Sequence, residues 1–282
     1  MDDRTFYARV LDLLKQGQPL VIAHLIGCRG SAPNAPGSRL IVRADGHTEF
    51  TIGGGPFEAA VIRDALTILR GDLCSAVKEY DLNYRSLGMR CGGRVQVYFE
   101  VVYPRTPLWI FGAGHIGQAL CTLAAQTRLF EITVIDDRPE WLDRLPKTAD
   151  VRAICTDRAY TAHIPPPPSS AYIVIVTRCH DVDAKVLRRM IGYDVAYIGM
   201  IGSRTKVRST FQALVRAGVP RTRLEAVDAP IGVPIGGKSP YEVAVSILAR
   251  LIQVRNGVFP RFSERVADPT VVSDRASEAV GP

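Results

Sequence analysis

The feature that most constrains the fold is a short stretch near the middle of the chain. Leu108–Phe111 is apolar enough for a buried strand, and Gly112-Ala113-Gly114-His115-Ile116-Gly117 follows it. An amphipathic helix is predicted over 115–128, then a second apolar strand over 131–136 ending in Asp136-Asp137. Asp136 lies 19 residues beyond the last glycine. Strand, GxGxxG, helix, strand and acid at that spacing describe the first half of a dinucleotide-binding fold. There the first glycine permits the tight turn and the second lets backbone approach a diphosphate. The third lets helix pack on strand. The unpaired N–H groups of the helix start attract an anion. Asp136 would face an adenine ribose if the ligand were NAD(P). The same glycines would also be needed for packing alone.

The rest of the chain extends this pattern. Strands are predicted at 151–154, 171–177 and 195–200, with helices near 157–163, 181–192, 204–217 and 240–255. Apolar strands alternating with helices imply a parallel sheet covered on both faces. Before Pro104 the pattern differs: a helix at 4–16, strands at 19–28, 38–43, 47–52, 74–80 and 94–103, and a helix from the Gly53–Pro56 region to about 70. The expected class is α/β, an N-terminal α+β domain followed by a Rossmann-like, doubly wound parallel-sheet domain. Expected bounds are 1–105, 106–260, and a polar tail over 261–282.

At 282 residues, 47% hydrophobic and 22% charged, the chain has ordinary globular composition. Its net charge of +7 suits an anionic partner. The basic residues are dispersed, without a nucleic-acid-binding motif, so a small phosphate-bearing ligand fits better than nucleic acid. No apolar run reaches the roughly 18 residues of a membrane span, and the N-terminus does not read as a signal peptide. The expected location is the cytoplasm, where the six cysteines (28, 74, 91, 121, 155, 179), none in a CxxC pair, would be reduced.

Other segments could carry chemistry. Gly53-Gly54-Gly55 before a helix forms either an anion nest, with Glu58 reaching ligand amine groups, or a turn with a helpful N-terminal acid. Gly232–Ser239 matches GxxxxGK[ST] literally. No clear strand precedes it, however, and Pro240 stands where a P-loop helix would already be running. An anion-binding helix start at Gly236-Gly237-Lys238 stays open beside a plain cap. Cys91 lies among glycines between Arg90 and Arg94, a context that favours its thiolate; an ordinary buried cysteine is the alternative. His180 and Asp181 are either a polar pair facing the crevice or part of a capped helix start.

Seven ordered blocks carry a family resemblance: RGSAP (29–33), TIGGGPFE (51–58), LGMRCGG (87–93), FGAGHIG (111–117), VIDDRPEW (134–141), YIGMIGSR (197–204) and PIGVPIGGKSP (230–240). Together they resemble the xanthine dehydrogenase accessory protein family (XdhC/CoxI). The resemblance implies a chaperone, not a turnover enzyme, that binds the molybdenum cofactor (molybdopterin, with or without an appended nucleotide). It implies help in sulfurating that cofactor and delivery to a xanthine dehydrogenase-type apoenzyme. A cysteine desulfurase, a cofactor nucleotidyltransferase and a second copy of the chain are the further expected partners. The expected cofactor-binding residues are Gly53, Gly54, Gly55, Glu58, Cys91, Gly112, Gly114, His115, Gly117, Asp136, Gly236, Gly237 and Lys238, with Cys91 nearest the molybdenum. The rival readings are an NAD(P)-dependent oxidoreductase and, more weakly, a P-loop phosphotransferase.

Overall fold

The structure is a computed structural model that describes residues 2–71, 73–88 and 92–268. The chain divides into two compact units, Met1–Arg105 and Thr106–Pro282.

In the first unit, helix α1 (Asp3–Lys15) is followed by strands β1 (Leu20–Arg29), β2 (Arg39–Arg43) and β3 (Thr48–Phe50). Helix α2 (Gly55–Arg70), strand β4 (Ser75–Asp81), the short helix α3 (Tyr84–Leu87) and strand β5 (Arg94–Val102) complete it. The strands form one antiparallel sheet in the order β3-β2-β1-β5-β4. Central strand β1 is buried on both faces because alternate residues meet different helices. Leu20 and Ile22 pack with Phe6, Val10 and Leu13 of α1. Val21, Ala23 and Leu25 join Phe57, Val61 and Ala65 of α2.

The second unit contains strands β6 (Thr106–Phe111), β7 (Phe130–Asp136), β8 (Val151–Cys155), β9 (Tyr172–Ile175) and β10 (Tyr197–Met200). All pair in parallel, in the order β10-β9-β6-β7-β8. Counted from the unit's own first strand, this is the 3-2-1-4-5 order of a doubly wound sheet. Chain direction reverses its sense of winding between β6 and β9, and ligands bind outside the carboxyl ends of the strands at such a switch point. Helices α4 (His115–Thr127) and α9 (Pro240–Arg255) cover one face through Leu120, Cys121, Ile247 and Leu251. Helices α6 (His180–Met190) and α7 (Arg204–Arg216) cover the other through Val186, Leu187, Val207 and Leu214. The α/β class expected from the residue pattern is therefore found. Short helices α5 (Pro139–Leu142), α8 (Arg221–Glu225) and α10 (Phe262–Ala267) complete the unit. Among the described residues, no helix is long and apolar enough to cross a membrane.

Two expectations need correction. Residues 157–163 do not form a helix. The Asp157 carboxylate instead accepts from Thr161 N (2.6 Å), Ala162 N (2.8 Å) and Thr161 Oγ1 (2.7 Å), closing a side-chain turn that competes with helix. Those donors hold its pKa well below the carboxylate range. Arg189 then pins the turn by donating to the carbonyls of Tyr160, Thr161 and Ile164. The expected polar tail over 261–282 also starts too early. Phe262 is 1% exposed, packs in the core, and donates its N–H to Ala196 O at 2.8 Å. This aromatic anchor ties α10 to the sheet, with Val266 packed against the same core.

Candidate functional site

The glycine loop between β6 and α4 sits at the switch point. Each of its three glycines has a different surrounding. Gly112 has φ +112°, and a Cβ there would stand 2.4 Å from Val176 O. A Cβ on Gly117 would stand 1.9 Å from Gly112 O. Both positions are closed to side chains by backbone packing. Gly114 differs: its φ of −65° suits any residue, and a Cβ there would meet nothing within 4 Å. It is the N-cap of α4, no side chain caps this helix, and its first turn holds no acid. The start of α4 thus presents N–H groups and the positive end of the helix dipole to open space. His115, the first helical residue, is exposed beside it.

The other two glycine-rich helix starts each carry one of the chain's own carboxylates in the first turn. At α2, Glu58 Oε2 accepts from Thr51 Oγ1 (2.5 Å), Ile52 N (3.1 Å) and Gly54 N (3.1 Å). The loop at Gly53–Gly55 takes the form of a turn with an N-terminal acid, in which Glu58 commits its Oε2 to its own loop. Gly53 is a packing residue, since a Cβ there would stand 2.7 Å from Pro33 Cγ. Gly54 and Gly55 have open surroundings, at φ +72° and +64°.

At α9, Ser239 and Glu242 form a capping box. Glu242 Oε2 accepts from Lys238 N (3.2 Å) and Ser239 N (2.9 Å), and Ser239 Oγ accepts from Glu242 N (3.4 Å). A Cβ on Gly237 would stand 2.4 Å from Glu242 Cβ, while Gly236 stays open at φ +79°. A triphosphate would have to displace Glu242, so the P-loop reading fails and the Gly236–Lys238 nest is corrected to a self-capped start. Lys238 is exposed. Lys238→Ala should therefore abolish no ATPase. Magnesium-dependent ATP turnover by the wild-type chain that disappears in the variant would restore the phosphotransferase reading.

Asp136 does not face a ligand. Its side chain has no exposed surface. It accepts four donors: Ala113 N (2.7 Å), Arg138 N (3.0 Å), Arg138 Nε (2.8 Å) and Arg138 Nη2 (2.9 Å). Burial alone would raise its pKa, but the Arg138 guanidinium and the Ala113 N–H outweigh it and hold the carboxyl below the ordinary range. Sequence spacing singled out the right residue with the wrong role, because Arg138 two positions later fills the acceptor. Asp136 braces the glycine loop from below. Neighbouring Asp137 is paired with Arg178 at 2.8 Å. Arg178 comes from the loop after β9, so the pair joins the two sides of β6. Beyond it, Asp183 and not Asp181 closes the start of α6, accepting from Thr177 N (3.0 Å) and Thr177 Oγ1 (2.6 Å). His180 Nδ1 stands 3.6 Å from Asp183 Oδ2.

In the first unit the structure brings three distant segments together. Pro33 lies against Gly53, and Ser31 pairs with Gly92 in a parallel bridge. Gly93 leaves no room for a side chain, since a Cβ there would stand 2.1 Å from Ser31 O. The candidate thiol Cys91 lies outside the described residues. Arg94, expected to activate it, donates to Asp81 at 2.6 Å, and its pKa is raised by that bond. Its charge is thereby answered on β4. Arg138, Trp141 and Arg178 were absent from the expected site, although the first two lie within the VIDDRPEW block.

Comparison with known proteins agrees with the fold of the second unit. Residues 108–251 match the description "XdhC Rossmann domain", and residues 13–81 match "XdhC and CoxI family". The chain is 31% identical over 255 residues to "Uncharacterized protein YqeB" of Escherichia coli (strain K12), covering 89% of this chain and 46% of that protein. It is 27% identical over 164 residues to a probable xanthine dehydrogenase subunit of Bacillus subtilis (strain 168), covering 57% of this chain and 47% of that protein. It is 24% identical over 291 residues to "Molybdenum cofactor insertion chaperone PaoD" of Escherichia coli (strain K12), covering 90% and 89%. The chain thus spans about half the length of the first two relatives.

Proposed function

The chain belongs to the XdhC and CoxI family, the xanthine dehydrogenase accessory proteins, and from that premise we propose that it binds the molybdenum cofactor as cargo and delivers it to a xanthine dehydrogenase-type enzyme. One observation carries this reading. Of the three glycine-rich helix starts, only that of α4 has neither a side-chain cap nor an acid in its first turn, and it opens at the topological switch of a doubly wound sheet. Backbone N–H groups there suit the phosphate end of a pterin cofactor, with or without an appended nucleotide. Gly112 and Gly117 set the loop's shape, Asp136 braces it, and Gly114 lets the phosphate approach. The relative named as a molybdenum cofactor insertion chaperone, which matches over nearly the full length of both chains, supports the same reading.

The finer reading includes sulfuration of the cofactor with a cysteine desulfurase. A nucleotidyltransferase as cofactor donor, a homo-oligomeric state and a cytoplasmic location also belong to it. NAD(P) chemistry is the weaker alternative, because Asp136 is spent on Arg138 and Ala113. Cys91 is the proposed thiol at the molybdenum end, on the grounds of its glycine-rich surroundings in the chain.

The test is reconstitution of a xanthine dehydrogenase-type apoenzyme with cofactor carried by wild type or variant. Cys91→Ala should lose most of the reactivation while keeping its fold. Cys121→Ala serves as the control: Cys121, on the inner face of α4, is fully buried, and burial pushes its thiol up to about 12, so it is inert packing. Equal reactivation by wild type and Cys91→Ala would remove Cys91 from the mechanism. Failure of the wild-type chain to retain cofactor at all would remove the chaperone reading.

A further inference from the structure

The corner where β7 ends and α5 begins has a charge pattern that cofactor delivery alone does not require. In doubly wound sites that hold a ribose diol, a carboxylate at the end of the second strand must offer free lone pairs to the hydroxyls. Neither candidate here can do so. Asp136 is fully buried with its acceptors filled. The Asp137 side chain is 3% exposed; Oδ2 is held by Arg178, and Oδ1 is shut off from solvent with Arg138 Nε 3.9 Å away.

Beside the exposed carboxylates of Glu140 and Asp143, the corner offers two guanidinium groups. Arg138 grips Asp136 through Nε and Nη2, which leaves Nη1 uncommitted among the described residues. Its guanidinium lies 4.8 Å from the centre of the Trp141 ring, and the guanidinium of Arg144 lies 4.9 Å from the same ring. His115, beside the open start of α4, meets that indole edge-on at 5.1 Å. Arg144 is exposed and forms no ion pair among the described residues. Glu140 and Asp143, the acids of the same turn, pair with neither guanidinium. Stacking on an indole positions a guanidinium without neutralising it.

We propose that this corner takes a terminal phosphomonoester dianion and rejects a ribose diol, with Arg144 and Arg138 as the specificity-determining residues and Trp141 positioning them. The proposal rests on the reading of the glycine loop as a phosphate site. Two sources share this chemistry: a phosphorylated ribose hydroxyl and the phosphate ending a pterin side chain. Calorimetric titration with two matched probe pairs separates them. One pair is 5′-AMP against 2′,5′-ADP; the other is neopterin against neopterin monophosphate. In at least one pair the added phosphate should tighten binding about tenfold or more, as expected for charge-assisted hydrogen bonds. Arg144→Ala should bring that ratio close to one while the probe lacking the added phosphate binds as before. Arg138→Lys, which keeps the charge but loses the fork, should lower the ratio in part. The pair that responds identifies the source. Ratios near one in both pairs, no binding by either phosphorylated probe, or a ratio undiminished in both variants would overturn the proposal. The underlying reading fails separately: Gly114→Val that binds every probe as wild type removes the glycine loop from the site but leaves the phosphate ratio at the corner intact.

Discussion

Gly114→Val should fold and lose its ligand, whereas Gly117→Val should lose the fold of the second unit. The two positions belong to one loop and differ only in what a side chain would meet. At Gly114 a Cβ meets nothing within 4 Å and the backbone conformation suits valine. The cost to stability is then that of a poor N-cap residue, about 1 kcal/mol, a shift in Tm of roughly 2–4 °C. The open space is what the ligand would use. An isopropyl group over the start of α4 would hold a phosphate away from the N–H donors and cost about 2 kcal/mol of binding, roughly thirtyfold in affinity. At Gly117 the new Cβ would stand 1.9 Å from the Gly112 carbonyl. That carbonyl cannot retreat, because Gly112 N is bonded to Ile135 O at 2.8 Å and Gly112 packs against Val176. The expected loss exceeds about 3 kcal/mol, a large part of a domain stability of about 5–15 kcal/mol. Calorimetric binding of molybdopterin, with thermal melts of both variants, checks the pair of expectations. Unchanged affinity in a folded Gly114→Val would make the loop a packing device only.

Asp136→Ala should destabilise the second unit by about 3 kcal/mol, the scale for breaking a buried ion pair by removing one partner. The variant strands the Arg138 guanidinium, only 20% exposed, and leaves the buried Ala113 N–H without its acceptor. The glycine loop would lose its brace, so cofactor affinity should fall with stability. The effect has a definite pH dependence. Because the folded carboxyl titrates below its ordinary range, its contribution is complete above the unfolded value of about 3.9 and is lost as pH falls through the folded value. Denaturant unfolding of wild type and variant should therefore differ by a constant amount from neutral pH down to about pH 5. The difference should narrow only under strongly acid conditions. The double variant with Arg138→Ala should cost much less than the two single changes added together, since each removes the other's partner. Strict additivity, or a gap that closes already near neutrality, would show that the pair does not brace the loop.

Much of this molecule was legible in its residues. The strand, three glycines, helix and acid over 108–136 identify a doubly wound unit because each glycine answers a local steric demand. Alternating apolar strands and amphipathic helices specified most elements of both units. Even the helix starts that carry their own acid had a local signature. TIGGGPFE and GGKSPYE each carry a glutamate in the first helical turn, and Ser239 to Glu242 has capping-box spacing, while GAGHIGQ carries no acid. Other features depend on residues far apart in the chain. Nothing near Asp136 announces that Ala113 will consume one of its oxygens, or that Arg178 will cross to Asp137. The bridge of Ser31 to Gly92 and the packing of Pro33 on Gly53 are likewise long-range. Local sequence determined where the chain turns, caps and packs, because those depend on near-neighbour sterics and hydrogen bonds. Only the tertiary structure decided which carboxylates and which helix start remain available, because an acceptor is free or spent according to the donors that folding brings to it.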